Sequence, residues 1–331
     1  MSTTARITRI LVPTDFSPAA TVACRLAARL ALRAEAELIL FHALPGVELV
    51  HRLGETLART QVEVLEEVRD QLREWLEAAV PAELRRFLTV ACKVKVGEPT
   101  PGIAWAAHRS RADLILMATE GRTGLAHLLL GSVTEAVLRN VPVPVLALRL
   151  GQGDRPLTAV QRILWATDLS PVSEGAWHHA LTLADVFGAE LLLLHVVRPG
   201  GLAGGVETPV PLPAGKQERY LESLEDELAR RQHVVEVLGL RARAKVQVGV
   251  PAAVIVAEAE EEQVDLIVMG TRGRTGLSHV LLGSVAEAVI RKAPCPVLAV
   301  QPRREAESRG RVATEAQGQE EASGDAPPAE D

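Results

Sequence analysis

One glycine-rich stretch of the chain has residue types and a spacing that suit the binding of an anion. It runs from Gly270 to Ser284 (GTRGRTGLSHVLLGS), with glycines at 270, 273 and 283 before a small hydroxyl residue. Glycine lets a ligand approach the main chain closely, and a helix that begins at Ser284 presents backbone N–H groups and the positive end of its dipole. The segment therefore suits phosphate groups. Alternatively, its glycines only allow a loop to turn.

A second candidate is Asp168, in the sequence TDLSP at the end of a predicted strand. Its carboxylate can accept hydrogen bonds from ribose hydroxyls or hold a divalent cation beside phosphates. It can also cap the backbone N–H groups of its own turn. The sequence alone leaves both roles open.

No residue pattern in the chain predicts catalysis. Two histidines end predicted strands (His42 and His195), and two others lie within glycine segments (His127 and His279). None has a cysteine or carboxylate at metal-ligand spacing, so hydrogen-bonded structural roles are favoured. The chain has no G-x-S-x-G, H-E-x-x-H or Walker motif, and no acid–base pair can be named.

The chain is a duplication. RILVPTDFSP at 9–18 recurs as RILWATDLSP at 162–171, and residues 111–148 closely resemble 263–300. A repeat offset of about 150 residues indicates two domains rather than a solenoid, whose repeats are about 20–50 residues long. We predict domain one at 5–150, a linker at 151–160, domain two at 161–301 and a polar, acidic, disordered tail at 302–331.

Within each copy, apolar strand patterns alternate with helical patterns, which predicts a parallel sheet covered by helices on both faces. For the second copy the predicted strands are 163–167, 190–197, 241–248, 265–270 and 296–301. The predicted helices are 172–187, 215–238, 251–262 and 284–292. Ligands of such sheets bind beyond the carboxyl ends of the strands, where the strand order reverses. Asp168 and Gly270 are therefore expected to lie close together.

Composition and charge exclude several classes of function. A net charge of −6 argues against broad binding to nucleic acid. No apolar run approaches the roughly 18 residues of a membrane span, and no secretory signal is visible. The three cysteines lack C-x-x-C spacing, which is typical of a reducing compartment rather than of a disulfide framework or a zinc site. We expect a soluble, cytoplasmic protein.

Taken together, the motifs resemble the universal stress protein family. After DLIVM the chain has G-x-x-G, then nine residues, then G-S. In addition, TDLSP stands at the end of the first strand and LLHV in the second. The resemblance implies a Rossmann-like, five-stranded parallel α/β domain of order 3-2-1-4-5. It also implies ATP, with Mg or Mn, held between the first and fourth strands. The last strands, PVLAL and PVLAV, would pair within the chain as a pseudo-dimer, and a homodimer and an unknown protein partner stay open.

The same resemblance assigns site residues. In domain two, Asp168 would contact ribose or metal and the Val196 backbone would contact adenine. Residues for the ribose and phosphates would be Gly270, Arg272, Gly273, Gly283 and Ser284. The weaker counterparts in domain one are Asp15, Ala43, Gly121, Gly131 and Ser132.

The two copies are not expected to bind equally. Ala118 stands where domain two has Gly270, and Glu120 stands where it has Arg272. Charges about 4 Å apart interact by about 4 kcal/mol at an effective dielectric constant of 20 and by about 1 kcal/mol in water. Exchanging arginine for glutamate beside a phosphate therefore favours domain two.

The expected function is an ATP-binding regulator of stress responses with hydrolysis slow or absent. One alternative is a scaffold of the same fold that no longer binds nucleotide. A second is an adenylating enzyme, although the S-G-G-x-D-S loop expected of one is absent after the first strand.

Overall fold

A computed structural model describes residues 6–54, 60–119, 130–149, 160–198, 214–271 and 282–301. Residues 151–159 of the predicted linker and the predicted tail at 302–331 lie outside these ranges. So do 120–129 and 272–281, which include Gly121, His127, Arg272, Gly273 and His279. Within the described ranges, none of the helices combines the length and apolar character that a membrane span requires.

The first half alternates strands and helices. Its strands are β1 (Arg9–Pro13), β2 (Glu37–Leu44), β3 (Val90–Val96), β4 (Leu114–Ala118) and β5 (Val145–Leu148). Its helices are α1 (Pro18–Ala34), α2 (Gly46–Gly54), α3 (Gln61–Ala79), α4 (Ala82–Arg85), α5 (Pro99–Ser110) and α6 (Ser132–Asn140).

The second half repeats this order. Its strands are β6 (Arg162–Thr167), β7 (Glu190–Val197), β8 (Ala242–Val248), β9 (Leu266–Gly270) and β10 (Val297–Val300). Its helices are α7 (Pro171–Phe187), α8 (Ala214–Val237), α9 (Pro251–Glu261) and α10 (Ser284–Lys292). The predicted elements agree with these bounds to within a residue or so.

Both halves have the predicted strand order, but their strands form one continuous sheet rather than two separate sheets. The order across the molecule is β3-β2-β1-β4-β5-β10-β9-β6-β7-β8, so each half is 3-2-1-4-5 from its outer edge, within one ten-stranded sheet. Pairing is parallel within each half, whereas β5 and β10 pair antiparallel with Leu146 opposite Leu298. The α/β fold class is confirmed. The strand order reverses between β1 and β4, and between β6 and β9.

Two helix starts position the turns at these reversals. Ser17 caps α1 and Ser170 caps α7, each accepting a hydrogen bond from a backbone N–H at its helix start, and proline follows at the first helical position. Proline is favoured there because its fixed φ suits a helix and its missing N–H has no intrahelical partner to lose. The chain therefore leaves β1 and β6 by the same short turn into a helix.

Side chains alternate between two core layers, one on each face of the sheet. In β1, Ile10 and Val12 pack towards α1, and Leu11 packs towards α5 on the opposite face. Leu146 and Leu298 lie in the same core cluster, so the apolar packing is continuous across the junction of the halves.

The nearly continuous apolar runs of the second copy predict strands buried on both faces, and this prediction is wrong for β8. This strand lies at an edge of the sheet and carries Arg243 and Lys245, each with a half-exposed side chain. Arg243 pairs with Glu190 and Glu262 at 2.8 Å, and Lys245 pairs with the buried Glu258. Charged edge strands resist pairing with another chain. A hollow of about 260 Å³ lies beside this strand, and its lining includes leucines together with Arg243, Lys245, Glu258 and Glu262. Its charged side chains are therefore already paired with one another.

We expect Glu262→Gln to change how the free energy of unfolding depends on pH in the acid range. The hydrogen bond from the Arg243 guanidinium lowers the pKa of the Glu262 carboxyl below 4.5. Its contribution is therefore complete above the unfolded-state pKa and is lost as the pH falls through the lower folded-state pKa. Because Arg243 is half exposed, we expect a loss of about 0.5 kcal/mol near neutral pH. Urea unfolding from pH 3 to 7 measures it, with the exposed neighbour Glu261→Gln as control. A deficit for Glu262→Gln that is independent of pH would contradict this account.

Candidate functional site

The same tight turn follows the first strand of each half. Phe16 has a φ of +63° and Leu169 a φ of +59°, a left-handed conformation that is unfavourable for residues with a Cβ. Side chains hold both turns, since the Phe16 N–H donates to Thr14 Oγ1 at 2.9 Å and the Leu169 N–H donates to Thr167 Oγ1 at 2.9 Å. The structure therefore fixes the aspartate within each turn in the same position relative to its strand.

The aspartate of each turn caps the turn itself. Asp15 Oδ1 accepts from the Ser17 N–H at 3.0 Å, and Asp168 Oδ1 accepts from the Ser170 N–H at 3.1 Å and from the Ser173 hydroxyl. The capping alternative is thus present in both halves. A carboxylate can accept several hydrogen bonds, so capping is compatible with a ligand contact, which stays a prediction.

His42 and His195 tie the second strand of each half to this turn. Nδ1 of His42 lies 2.8 Å from the Thr14 carbonyl oxygen, and Nδ1 of His195 lies 2.9 Å from that of Thr167. Both rings are buried. This is the structural role that the sequence favours for them. Within the described residues, no group of three or more histidines, cysteines, aspartates or glutamates could hold a metal ion.

A glycine precedes the helix that faces each turn. Gly131 is the N-cap residue of α6 and Gly283 that of α10. The Gly131 N–H donates to the Thr119 carbonyl at 2.7 Å, and the Gly283 N–H donates to that of Thr271 at 2.8 Å. A Cβ on Gly131 would lie 2.7 Å from the Thr119 oxygen, closer than van der Waals contact allows. Gly131 is therefore required by the close approach of two main-chain segments, whether or not a ligand binds.

A cavity of about 310 Å³ opens beyond the carboxyl ends of β1, β2 and β4 in the first half. It brings together four of the residues predicted for domain one, namely Asp15, Ala43, Gly131 and Ser132. The other residues that line it are Pro13, Thr14, Ala20, Phe41, His42, Pro45, Glu48, Pro99, Ile103, Met117, Ala118, Thr119, Val133 and Thr134. The fifth residue predicted for this half, Gly121, lies outside the described residues.

In the second half the predicted residues occupy equivalent places in the topology. Asp168 directly follows β6, Val196 lies in β7, and Gly270 ends β9, which pairs with β6. Gly283 and Ser284 begin α10. Arg272 and Gly273 lie outside the described residues.

Sequence reasoning missed two features of the first-half cavity. Thr119 is 3% exposed, and its Oγ1 has no hydrogen-bond partner among the described residues. Glu48 and Pro45 reach the cavity from α2 and the residue before it. The threonine after the fourth strand recurs as Thr271, so the duplication contained a signal for it. No sequence signal places α2 over the cavity.

Among the described residues, no cysteine lines the cavity of the first half. None of the three forms a disulfide. Burial raises the pKa of the Cys24 thiol to about 12 and also raises that of Cys92. Both thiols are therefore protonated and poorly nucleophilic at neutral pH.

The strand order and the paired turns define a tandem, doubly wound α/β protein of the Rossmann-like type. A model of the universal stress protein family matches residues 6–149 and 159–301. The chain belongs to that family, as a member with two tandem domains.

Relatives agree with this assignment. A universal stress protein of Methanocaldococcus jannaschii is 42% identical over 151 residues, which cover 44% of this chain and 85% of that protein. One from Mycolicibacterium smegmatis is 28% identical over 296 residues, which cover 89% of this chain and 97% of that protein. The crystal structure of a universal stress protein from Archaeoglobus fulgidus matches with a TM-score of 0.65 at 24% identity, and covers 91% of this chain and 98% of that one. At that identity the structural match supports the fold alone.

Proposed function

We propose that this chain is an adenine-nucleotide-binding regulator that holds ATP mainly in domain two. The residues assigned to the nucleotide are Asp168, Val196, Gly270, Arg272, Gly273, Gly283 and Ser284. Nucleotide binding in general is best supported by the cavity of the first half, where an arrangement of turn and glycine-capped helix that recurs in domain two borders a hollow at the strand-order reversal. Reversals of this kind are where open α/β sheets bind ligands.

The residues present fit a nucleotide in chemical type. Each half has a carboxylate at the end of its first strand for ribose hydroxyls, and a helix N-terminus after a glycine for phosphate. In the first half, the buried Thr119 hydroxyl lacks a partner among the described residues, although buried polar groups are seldom left so. Because the described residues contain no metal cluster of their own, Mg or Mn would arrive with the ATP phosphates and contact Asp168.

Two sequence differences favour ATP binding in domain two over domain one. Glycine at 270 leaves the main chain open where domain one has Ala118, and Arg272 would attract the phosphates where Glu120 would repel them. We propose sensing or signalling rather than catalysis, because no general base or nucleophile can be assigned among the residues described at either turn. A cytoplasmic location stays a prediction of the sequence.

The two domains also form an intramolecular pseudo-dimer in this proposal. Its support is the antiparallel pairing of β5 with β10, with Val297 opposite Ala147 and Ala299 opposite Val145. Arg149 of the first half donates a hydrogen bond to the Arg291 carbonyl of the second, and Gln301 donates one to the Leu138 carbonyl in return. A homodimer of the whole chain and an unidentified protein partner remain compatible with it.

Equilibrium titration of the purified chain with labelled ATP and Mg²⁺ tests the assignment. We expect Gly273→Val to weaken the tight site at least about tenfold, because a branched side chain would cover the main chain that the phosphates approach. The matched control is Gly121→Val at the equivalent position of domain one, which should leave the tight site unchanged. Equal ATP uptake by the wild type and Gly273→Val would place the nucleotide elsewhere, and no uptake by either would favour the scaffold.

A further inference from the structure

We propose that the acidic C-terminal segment of this chain, residues 312–331, binds a basic surface at the outer edge of domain one. We call this surface the basic edge, and it consists of Lys93 and Lys95 on β3 and of Trp105 and Arg109 on α5. None of these four residues lines the cavity of the first half. The proposal is therefore independent of the function proposed above.

The two lysines of β3 lack carboxylate partners among the described residues. Lys93 Nζ donates a hydrogen bond to Ser110 Oγ at 2.8 Å, and Lys95 Nζ lies 4.6 Å from the centre of the Trp105 ring. Glu98, the N-cap residue of α5, forms an ion pair with neither lysine. A hydroxyl and an aromatic ring orient an ammonium group without neutralising its charge. Both positive charges are therefore available to an acidic partner.

Domain two compensates the equivalent strand with its own glutamates. Lys245, the counterpart of the first of these lysines, pairs with Glu258 and lies 3.5 Å from Glu262. Domain one has Ala106 and Ser110 in place of the two glutamates. Its edge strand is therefore basic without the acidic groups that the neighbouring helix supplies in domain two.

The exposed face of α5 adds to the positive charge. Trp105 is 40% exposed, and Arg109, four residues later, is exposed as well. Residues four apart are neighbours on one face of a helix. Domain two has Ala257 and Glu261 at the equivalent positions of α9. This face is thus basic in domain one and acidic in domain two, and only the basic one complements an acidic segment.

The C-terminal segment has the carboxylates that the basic edge lacks. Residues 312–331 contain no lysine, arginine or histidine. Their six acidic side chains are Glu315, Glu320, Glu321, Asp325, Glu330 and Asp331. Complementary charges guide two surfaces into contact and favour the matching partner over others. Because the segment belongs to the same chain, its effective concentration at the basic edge exceeds that of a separate acidic peptide.

The chain is long enough to bring this segment to the basic edge. β3 is five strands away from β10 in the sheet, which is about 24 Å at about 4.8 Å per strand. Residues 302–314 can span up to about 43 Å when extended. Gln301 donates to the Leu138 carbonyl of α6, and α5 and α6 pack on the same face of the sheet. The described chain therefore ends on the face to which the basic edge belongs.

Carbodiimide cross-linking of the full chain at low ionic strength tests the proposal. The reagent joins a lysine amine to a carboxylate in contact with it, and peptide mass spectrometry identifies each joined pair. The controls are Lys216 and Lys292, which are exposed and have no ion pair among the described residues. We expect Lys93 and Lys95 to link to residues 312–331 at least about fivefold more often than these controls. Salt at about 0.5 M should reduce the links at least about fivefold, because ions screen exposed charges.

Matched variants separate the basic edge from the rest of the surface. Arg109→Gln should reduce the links about twofold, because it removes one cation of the basic edge. Arg29→Gln is the control, since it removes an arginine from α1 on the opposite face of the sheet, and it should leave the links unchanged. Replacement of all six carboxylates of residues 312–331 by amides should abolish the links while the circular dichroism stays that of the wild type.

Three results would overturn the proposal. An absence of links from Lys93 and Lys95 would mean that the segment does not bind the basic edge. Equal links from all exposed lysines would mean that it contacts the surface without preference. In a mixture of isotope-labelled and unlabelled chains, links that join one chain to another would mean that the basic edge binds a second copy instead. None of these results affects the assignment of ATP, which is tested by titration.

Discussion

Replacement of Leu298 by alanine is expected to lower the free energy of unfolding by about 3 kcal/mol, within the range for fully buried leucines. Leu298 has no exposed surface and lies opposite Leu146 at the antiparallel junction of β5 and β10. Both side chains belong to a core cluster that contains residues of the two halves. The truncation therefore leaves a void at the point where the two domains share their packing.

Urea unfolding of the chain measures this loss. Circular dichroism reports on the helices, and tryptophan fluorescence reports on both halves, since Trp75 and Trp105 lie in the first and Trp165 and Trp177 in the second. Leu238→Ala is the matched control, because Leu238 is 58% exposed and should change stability by less than about 0.5 kcal/mol. A loss below 1 kcal/mol for Leu298→Ala would mean that the junction is not packed as described.

The second large effect is expected from Gly131→Ala, with a loss of about 2 kcal/mol in the free energy of unfolding. The added Cβ would lie 2.7 Å from the Thr119 carbonyl oxygen, a main-chain atom that cannot swing aside as a side chain can. The main chain at the start of α6 would have to move, which also weakens the 2.7 Å hydrogen bond from the Gly131 N–H. Overpacking of this kind costs about 1–3 kcal/mol.

Thermal and urea unfolding without ligand test this prediction. Gly46→Ala is the control, because nothing lies within 4 Å of a Cβ at that position, which begins α2. The control should be neutral or slightly stabilising. If Gly131→Ala were as stable as the wild type, the close approach would not require glycine, and the glycine would then be explained by ligand binding alone.

Part of the first-half cavity could be predicted from the family resemblance. The resemblance to the family assigns Asp15, Ala43, Gly131 and Ser132 to one site, and all four line one cavity. They come together because the carboxyl ends of parallel strands lie at one edge of the sheet, where the turn after β1, the end of β2 and the start of α6 meet. That these residues bind a nucleotide stays a prediction. Asp168 is only partly explained, since its Oδ1 caps the turn and its ligand contact stays a prediction.

The contributions of Thr119, Ile103 and Glu48 could not be predicted from the sequence in the same way. Ile103 reaches the cavity from α5 and Glu48 from α2, so their roles depend on how those helices pack. The sequence predicts a weaker site in domain one, but it does not predict the volume of the cavity there. The sequence shows that Ala118 and Glu120 stand where domain two has Gly270 and Arg272. The shape of the cavity beside Phe41 and Gly102, in contrast, depends on how the side chains pack.

The order of the residues alone was enough to establish the duplication, the alternation of strands and helices, and the turns that end the first strand of each half. These depend on local periodicity, capping and glycine placement, which act over a few residues at a time. The pairing of the last strands was expected from the resemblance, but only the folded molecule revealed its antiparallel register, the exposed charged edge at β8 and the side chains that enclose the cavity of the first half. These features depend on side chains from distant segments filling space together, and no local pattern records that volume.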